Sequence, residues 1–283
     1  MRLISVLISF GLVLALPTLV AAEAPVTVEP KLADGQIEVT ADQSLEWYQE
    51  QRLYVARGNA KMVRGSLTVQ ADVLTAHERD KTDIANESQS GGGNIDRLVA
   101  EGNVRIVDVH QQVYGDRAIY DLDKKTARVT GKNLKYATDK DTVTAQDSLE
   151  YYEAQNMAVA RGKAVVLHEG RHIEGDVMTA YFGKSATGQM DLSQLTAAGN
   201  VTVVTDNDVS RGDHAVYDVK KNVAKLTGHV RINRDKIQLT GDAATADFNK
   251  GYSSLITKGK GRVRALLSAG SSAPETATKV EEQ

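Results

Sequence analysis

The stretch "SLEWYQEQRLYVARGNA" (residues 44–60) returns as "SLEYYEAQNMAVARGKA" (residues 148–164). Extended by a few residues, 39–60 and 143–164 match at 13 of 22 positions at an offset of 104, far beyond coincidence. The likeness continues in "ADVLTA" (71–76) and "GDVMTA" (175–180), then in "LVAEGNVRIV" (98–107) and "LTAAGNVTVV" (195–204) at an offset of 97. The seven-residue change falls in "ERDKTDIANESQSGGGNID", whose Gly, Ser and Asp content marks a loop insertion.

A smaller unit recurs inside each copy, opening on Ala or Gly before Asp or Gln. Its seven starts, Ala41, Ala71, Gly115, Ala145, Gly175, Gly212 and Gly241, are spaced by 30, 44, 30, 30, 37 and 29 residues, a period of about thirty with two insertions. Each unit also carries a turn glycine: Gly58, Gly102, Gly131, Gly162, Gly199, Gly228 and Gly259. Such a period signals stacked supersecondary units, none able to bury its apolar face alone.

Within a unit the side-chain period is two. "IEVTAD" sets Ile37, Val39 and Ala41 against Glu38, Thr40 and Asp42, and "SLTVQAD" repeats the pattern with Leu67, Val69 and Ala71. This is strand alternation with one wet face. Polar turns such as "DLDKK" and "DVKKN" join the strands, and helix signals are nearly absent after the leader. The expected fold is all-β, an elongated roll of stacked antiparallel strands whose two ends expose unpaired backbone groups. It forms either one extended roll or two consecutive segments, 35–140 and 141–265.

The chain has 283 residues, 41% hydrophobic and 25% charged, as a folded protein of one or two domains would. Aromatics make up only 5%, so the core must be built from Val, Ala, Leu, Ile and Tyr. Residues 1–22 read as a cleavable secretory signal: Arg2, an apolar run from Leu3 to Leu16, Pro17, then Ala21 and Ala22. The alternative is an uncleaved anchor, since Leu3 to Ala22 is just long enough to span a bilayer. Without Arg2 the balance is 33 basic against 37 acidic residues, which offers no basic footprint for nucleic acid. Zero cysteines exclude disulfides, thiolate metal sites and Cys nucleophiles. Export without disulfides points to a periplasmic protein, and residues 268–283 are expected to form a disordered tail.

Catalytic signals are weak. His168 and His172 would share a face on a helix and could hold zinc there, but "HEGRHIEG" aligns with a turn and a strand, so exposed turn histidines are expected. "GGGNID" (91–96) has the look of one calcium nonapeptide, yet such sites need neighbouring copies, and a loop is the simpler reading. Asp42, Asp72, Asp116, Asp176, Asp213 and Asp242 stand too far apart for an acid–base pair and mark turn or bulge positions instead. Neither an enzyme nor a cofactor is expected.

The remaining candidate is the lining. Inward positions are Val39, Leu45, Trp47, Met62, Val69, Val104, Ile106, Tyr120, Val143, Leu149, Tyr151, Val166, Val203, Tyr217, Val230 and Ile232, interleaved with Ala41, Ala71, Ala118 and Ala215. Small residues there either let thin sheets pack closely or leave a slot between them.

The "GNV" strands (102–104 and 199–201), "GNA" (58–60), and the "AD" or "GD" starts followed by "IYD" (119–121) and "VYD" (216–218) resemble the OstA-like (LptA) family across residues 35–265. The resemblance implies a twisted open β-jellyroll whose apolar interior holds lipid A acyl chains. It further implies head-to-tail self-association, and contacts with an inner-membrane extractor complex and an outer-membrane translocon that carry related jellyroll domains. The expected function is non-enzymatic lipopolysaccharide transport between the membranes. A scaffold without lipid binding and an anchored inner-membrane hand-over component are the alternatives.

Overall fold

The computed structural model describes residues 37–79, 95–168, 171–184, 190–205, 208–234, 236–257 and 261–267. The expected leader, the tail, Gly259 and most of the glycine-rich insertion lie outside the described residues. The described residues form eighteen strands: β1 (Glu38–Thr40), β2 (Ser44–Tyr48), β3 (Leu53–Arg64), β4 (Leu67–Glu78), β5 (Ile95–Asp108), β6 (Gln111–Asp121), β7 (Thr126–Thr130), β8 (Leu134–Thr138) and β9 (Asp141–Ala145), then β10 (Ser148–Tyr152), β11 (Met157–His168), β12 (Arg171–Lys184), β13 (Met190–Val204), β14 (Asp208–Asp218), β15 (Val223–Arg234), β16 (Ile237–Asp247), β17 (Tyr252–Ile256) and β18 (Arg264–Leu267). No helix occurs among the described residues.

Every pairing is antiparallel, and nearly every strand pairs with its neighbour in sequence. Ten long strands bend midway, placing one half in each of two walls. The short pairs β1/β2, β7/β8, β9/β10 and β17/β18 do the same with a break at the bend, which makes fourteen rungs among the described residues. At the usual strand spacing the roll is about 60 Å long. Between the two expected segments the ladder continues unbroken, with Tyr152 opposite Thr126 in one wall and Ala137 opposite Thr142 in the other. Ser44 and Ser148 stand six rungs apart, so the large sequence repeat is a structural repeat of six rungs.

The bends explain the small repeat. Between β3 and β4, Arg57 pairs with Val73 and Ala60 with Ala71, so Gly58 and Asn59 together face Asp72 alone. The extra residue is a β-bulge, which sharpens the twist and turns the strand from one wall into the other. At Gly58, Gly102, Gly162, Gly199 and Gly228 the bulge begins with glycine at positive φ followed by a second positive-φ residue, as in Gly102 (+77°) and Asn103 (+49°). A Cβ at Gly102 would lie 2.1 Å from the Asp72 carboxylate, so only glycine fits.

The repeated aspartates Asp72, Asp116, Asp176 and Asp213 stand against Gly102, Gly131, Gly199 and Gly228 in the next rung, as register markers should. Two positions differ from the sequence reading. Gln43, not Asp42, faces Gly58, and Asp147, not Gln146, faces Gly162. In these two units the strand is interrupted at the bend, which shifts the contact by one residue.

The core lies along the inside of the bend. Ala60 and Ala164 are fully buried, and Leu134, Val104, Val201 and Val230 are 1–2% exposed. Glycines 115, 175, 212 and 241 sit opposite or beside these larger residues, so adjacent rungs interdigitate at the tightest point of the roll.

Candidate functional site

Register converts the alternation into continuous rows. Deep in the first wall the inward row reads Leu45, Ala56, Leu74, Ala100, Ala118, Val129, Leu149, Ala160, Met178, Ala197, Ala215, Leu226, Ala244 and Leu255, one residue from each rung and every one apolar. Two residues closer to the rim, a parallel row reads Trp47, Tyr54, Ala76, Leu98, Tyr120, Ala127, Tyr151, Ala158, Ala180, Leu195, Tyr217, Ala224, Ala246 and Ser253. Large and small side chains are interspersed here; Tyr151 sits between Ala127 and Ala158.

The second wall answers with Val39, Met62, Val69, Ile106, Val113, Tyr136, Val143, Val166, Ile173, Val203, Ser210, Ile232, Leu239 and Ala265. All sixteen lining positions named from sequence fall on this inward face. Val104 and Val230 lie in its closed bend, and Val39, Leu45 and Trp47 at its exposed N-terminal end. Alternation passed over Leu98, Val113, Ile173, Leu195, Leu239 and Leu255, which share the same parity and needed only the strand register to find them.

Burial grades from bend to rim. The bend is closed, whereas Ile106, Val113, Val166, Leu98, Tyr120, Tyr151 and Tyr217 are half-buried. An apolar strip therefore stays within reach of solvent over the length of the roll. Along the rim of the second wall charged residues enter the inward row, Arg64, Asp108, Asp141, His168, Arg171, Asp208 and Arg234, beside Leu67, Ile237 and Leu267. Arg234 grips Asp208 through two bonds of 2.6 Å, and His168 lies 2.5 Å from Asp141. On the facing wall the Tyr120 hydroxyl donates to Glu153 at 3.2 Å. Burial, helped by that carboxylate and opposed by Arg64 across the gap, pushes the Tyr120 phenol up to about 12. It stays a neutral donor at any physiological pH.

On the outside, the duplicated phrase builds a polar hub. Ser148 and Tyr152 donate to Glu150 at 2.8 and 2.7 Å, and the Arg161 guanidinium joins at 3.2 Å. The first copy repeats this with Ser44, Tyr48, Arg57 and Glu46. The phrase thus encodes both faces at once, Leu and Trp or Tyr inward and Ser, Glu and Tyr outward.

His168 and His172 occupy β11 and β12 rather than a helix or a turn, on opposite faces, His172 lying 2.6 Å from Glu174. Among the described residues no group of three or more His, Cys, Asp or Glu could hold a metal. Of "GGGNID" only Ile95 and Asp96 are described, at the start of β5. A depression of about 550 Å³ lies elsewhere, at the bend between β8 and β9, lined by Gly131 to Lys135 and Thr144 to Gln146.

The ends carry most of the remaining exposed apolar surface. Ile37, Val39, Leu45, Trp47, Tyr48 and Tyr54 cluster at the N-terminal end, with Trp47 and Tyr54 stacked at 6.0 Å. Phe248, Tyr252, Ile256, Val263, Leu266 and Leu267 cluster at the C-terminal end. Among the described residues each end also presents the unpaired edges of two strands, β1 and β2 or β17 and β18.

Comparison with known proteins places these features in a family. The model describing LptA and the LptD N-terminal domain, lipopolysaccharide transport proteins, matches residues 38–147 and 210–277. Among solved structures, the crystal structure of LptH, the LptA-homologous periplasmic component of the lipopolysaccharide transport device of Pseudomonas aeruginosa, is 20% identical with a TM-score of 0.39. The match covers 46% of this chain and 95% of that one. No curated protein matches the chain.

Proposed function

The chain belongs to the LptA/LptD N-terminal family of lipopolysaccharide transport proteins, and from that membership we propose that it is a non-enzymatic periplasmic carrier that shields lipid A acyl chains between its walls and extends end to end. The observation that carries this reading is the pair of mainly apolar rows, half-buried along the middle of the roll and exposed at its ends. Each acyl methylene taken from water contributes about 0.8 kcal/mol. Partial burial of several chains therefore holds a lipid without a covalent step. A strip open along its flank lets sugars remain in water and lets the lipid move on.

The ends support the second half of the reading. Fourteen is an even number, so the first rung (β1 then β2) and the last (β17 then β18) run in opposite directions. Stacking one copy on the next continues the antiparallel alternation in both walls and brings Leu255 to Leu45 and Ala265 to Val39. Such a head-to-tail contact is heterologous and does not close. The same edges would dock related jellyroll domains at the two membranes.

The test is a photo-crosslinking residue at Ile106 or Leu98, with Arg105 and Arg97 as opposite-face neighbours. Incubated with lipopolysaccharide, the inward pair should be labelled and the outward pair should not. Equal labelling of both faces would sink the groove.

A further inference from the structure

The internal junction between repeats is a template for what the N-terminal edge should receive. In mid-roll the second copy of the duplicated phrase, β10, is covered by β7, whose Ala127, Arg128 and Val129 oppose Tyr151, Glu150 and Leu149. Arg128 reaches Glu150 at 3.6 Å. The first copy, β2, has Leu45 and Glu46 in the same places, Trp47 where the second has Tyr151, the same Ser, Tyr and Arg around its glutamate, and among the described residues no strand on that side.

The effect shows in exposure. The Glu150 side chain is 7% exposed and the Glu46 side chain 29%. We propose that the N-terminal edge selects a partner strand carrying a small residue, an Arg or Lys, and an aliphatic residue in antiparallel register, the cation set opposite Glu46. The proposal rests on end-to-end docking and adds the chemistry of the partner.

The chain's own C-terminal edge meets only part of this requirement. In the stacked register Ser253 would face Trp47 and Leu255 would face Leu45, a small and an aliphatic residue as in the template, but Ser254 would face Glu46. Ala224, Lys225 and Leu226 repeat the triplet in β15, six rungs on from β7, but the strand they face, β16, sets Thr245 rather than a glutamate opposite Lys225. The covered glutamate, Glu150, thus has a cation set opposite it, and the C-terminal edge offers none for Glu46. The N-terminal edge is thus matched better to a different jellyroll than to a second copy.

The test supplies the missing cation within the full chain. Sedimentation of wild type, S254R, S254Q and the double variant E46Q/S254R compares end-to-end association at equal concentration. S254R should associate about three- to fivefold more tightly than S254Q, less so at high salt, and E46Q should remove the gain. If S254R is no tighter than S254Q, or if the gain survives E46Q, the cation requirement is wrong while end-to-end docking stands. Absence of association in all four variants would remove the docking reading and this proposal together.

Discussion

Asn103 donates its side-chain amide to both carboxylate oxygens of Asp72, at 3.1 and 3.0 Å. The pair ties β4 to β5 where both strands turn from one wall into the other. Asn200 bonds Asp176 at 2.8 Å and His229 bonds Asp213 at 2.8 Å in the equivalent places. The bend is thus a repeated local device: glycine gives the backbone geometry and aspartate fixes its partner strand.

Replacing Gly102 tests that device. In G102A the new methyl group meets the Asp72 carboxylate, and alanine is held at a φ of +77°. The expected loss is more than about 1 kcal/mol, read as a lower denaturation midpoint. G65A, at a positive φ but with nothing within 4 Å, isolates the backbone cost, and G102A should be the worse of the two.

Leu134 is 1% exposed at the mid-roll bend, beside Val129 and opposite Ala145. L134A leaves a cavity that its glycine- and alanine-rich neighbours cannot fill. Chemical denaturation should show a loss of about 2–4 kcal/mol.

The Glu150 hub makes stability depend on acid. Burial pushes this carboxyl up, but hydrogen bonds from Tyr152, Ser148 and Arg161 outweigh it and hold the group below its ordinary 4.5. The unfolded chain therefore takes up this proton at a higher pH than the native one. The stabilisation is complete above the ordinary value and is lost as pH falls through the lowered one. Wild type should exceed E150Q in stability by about 1–3 kcal/mol at neutral pH, and the gap should shrink below about pH 4.

A charge placed in the half-buried row should separate binding from folding. Ala180 lies between Ala158 and Leu195, partly open to solvent, so A180D can keep its carboxylate hydrated in the lipid-free roll. With acyl chains in place that hydration is lost. Mass analysis of co-purifying lipid should show at least about a tenfold drop, while the denaturation midpoint stays near that of wild type.

The cysteine-free sequence permits a direct check of the stacking register. L45C/L255C puts one thiol on each edge at directly opposed positions, where Cβ atoms approach within about 5 Å. Mild oxidation should give a ladder of linked chains on a non-reducing gel. The same ladder from L45C/S254C, whose side chains leave opposite faces, would show that the register is wrong.

Alternation over Val39, Met62, Val69 and Ile106 already fixed their common face, because a strand has a side-chain period of two whatever surrounds it. The spacing of Gly58, Gly102, Gly162, Gly199 and Gly228 likewise located the bends, since few residues other than glycine tolerate that backbone. Pairing decided the rest: that β7 lies against β10 so the ladder does not break at the middle, that Gln43 and Asp147 rather than their neighbours meet the glycines, and that Val104 is sealed in the bend while Ile106 stays reachable. These depend on which strand lies beside which and on how far two walls splay, and both are set by contacts between residues distant in the chain, which local periodicity does not specify.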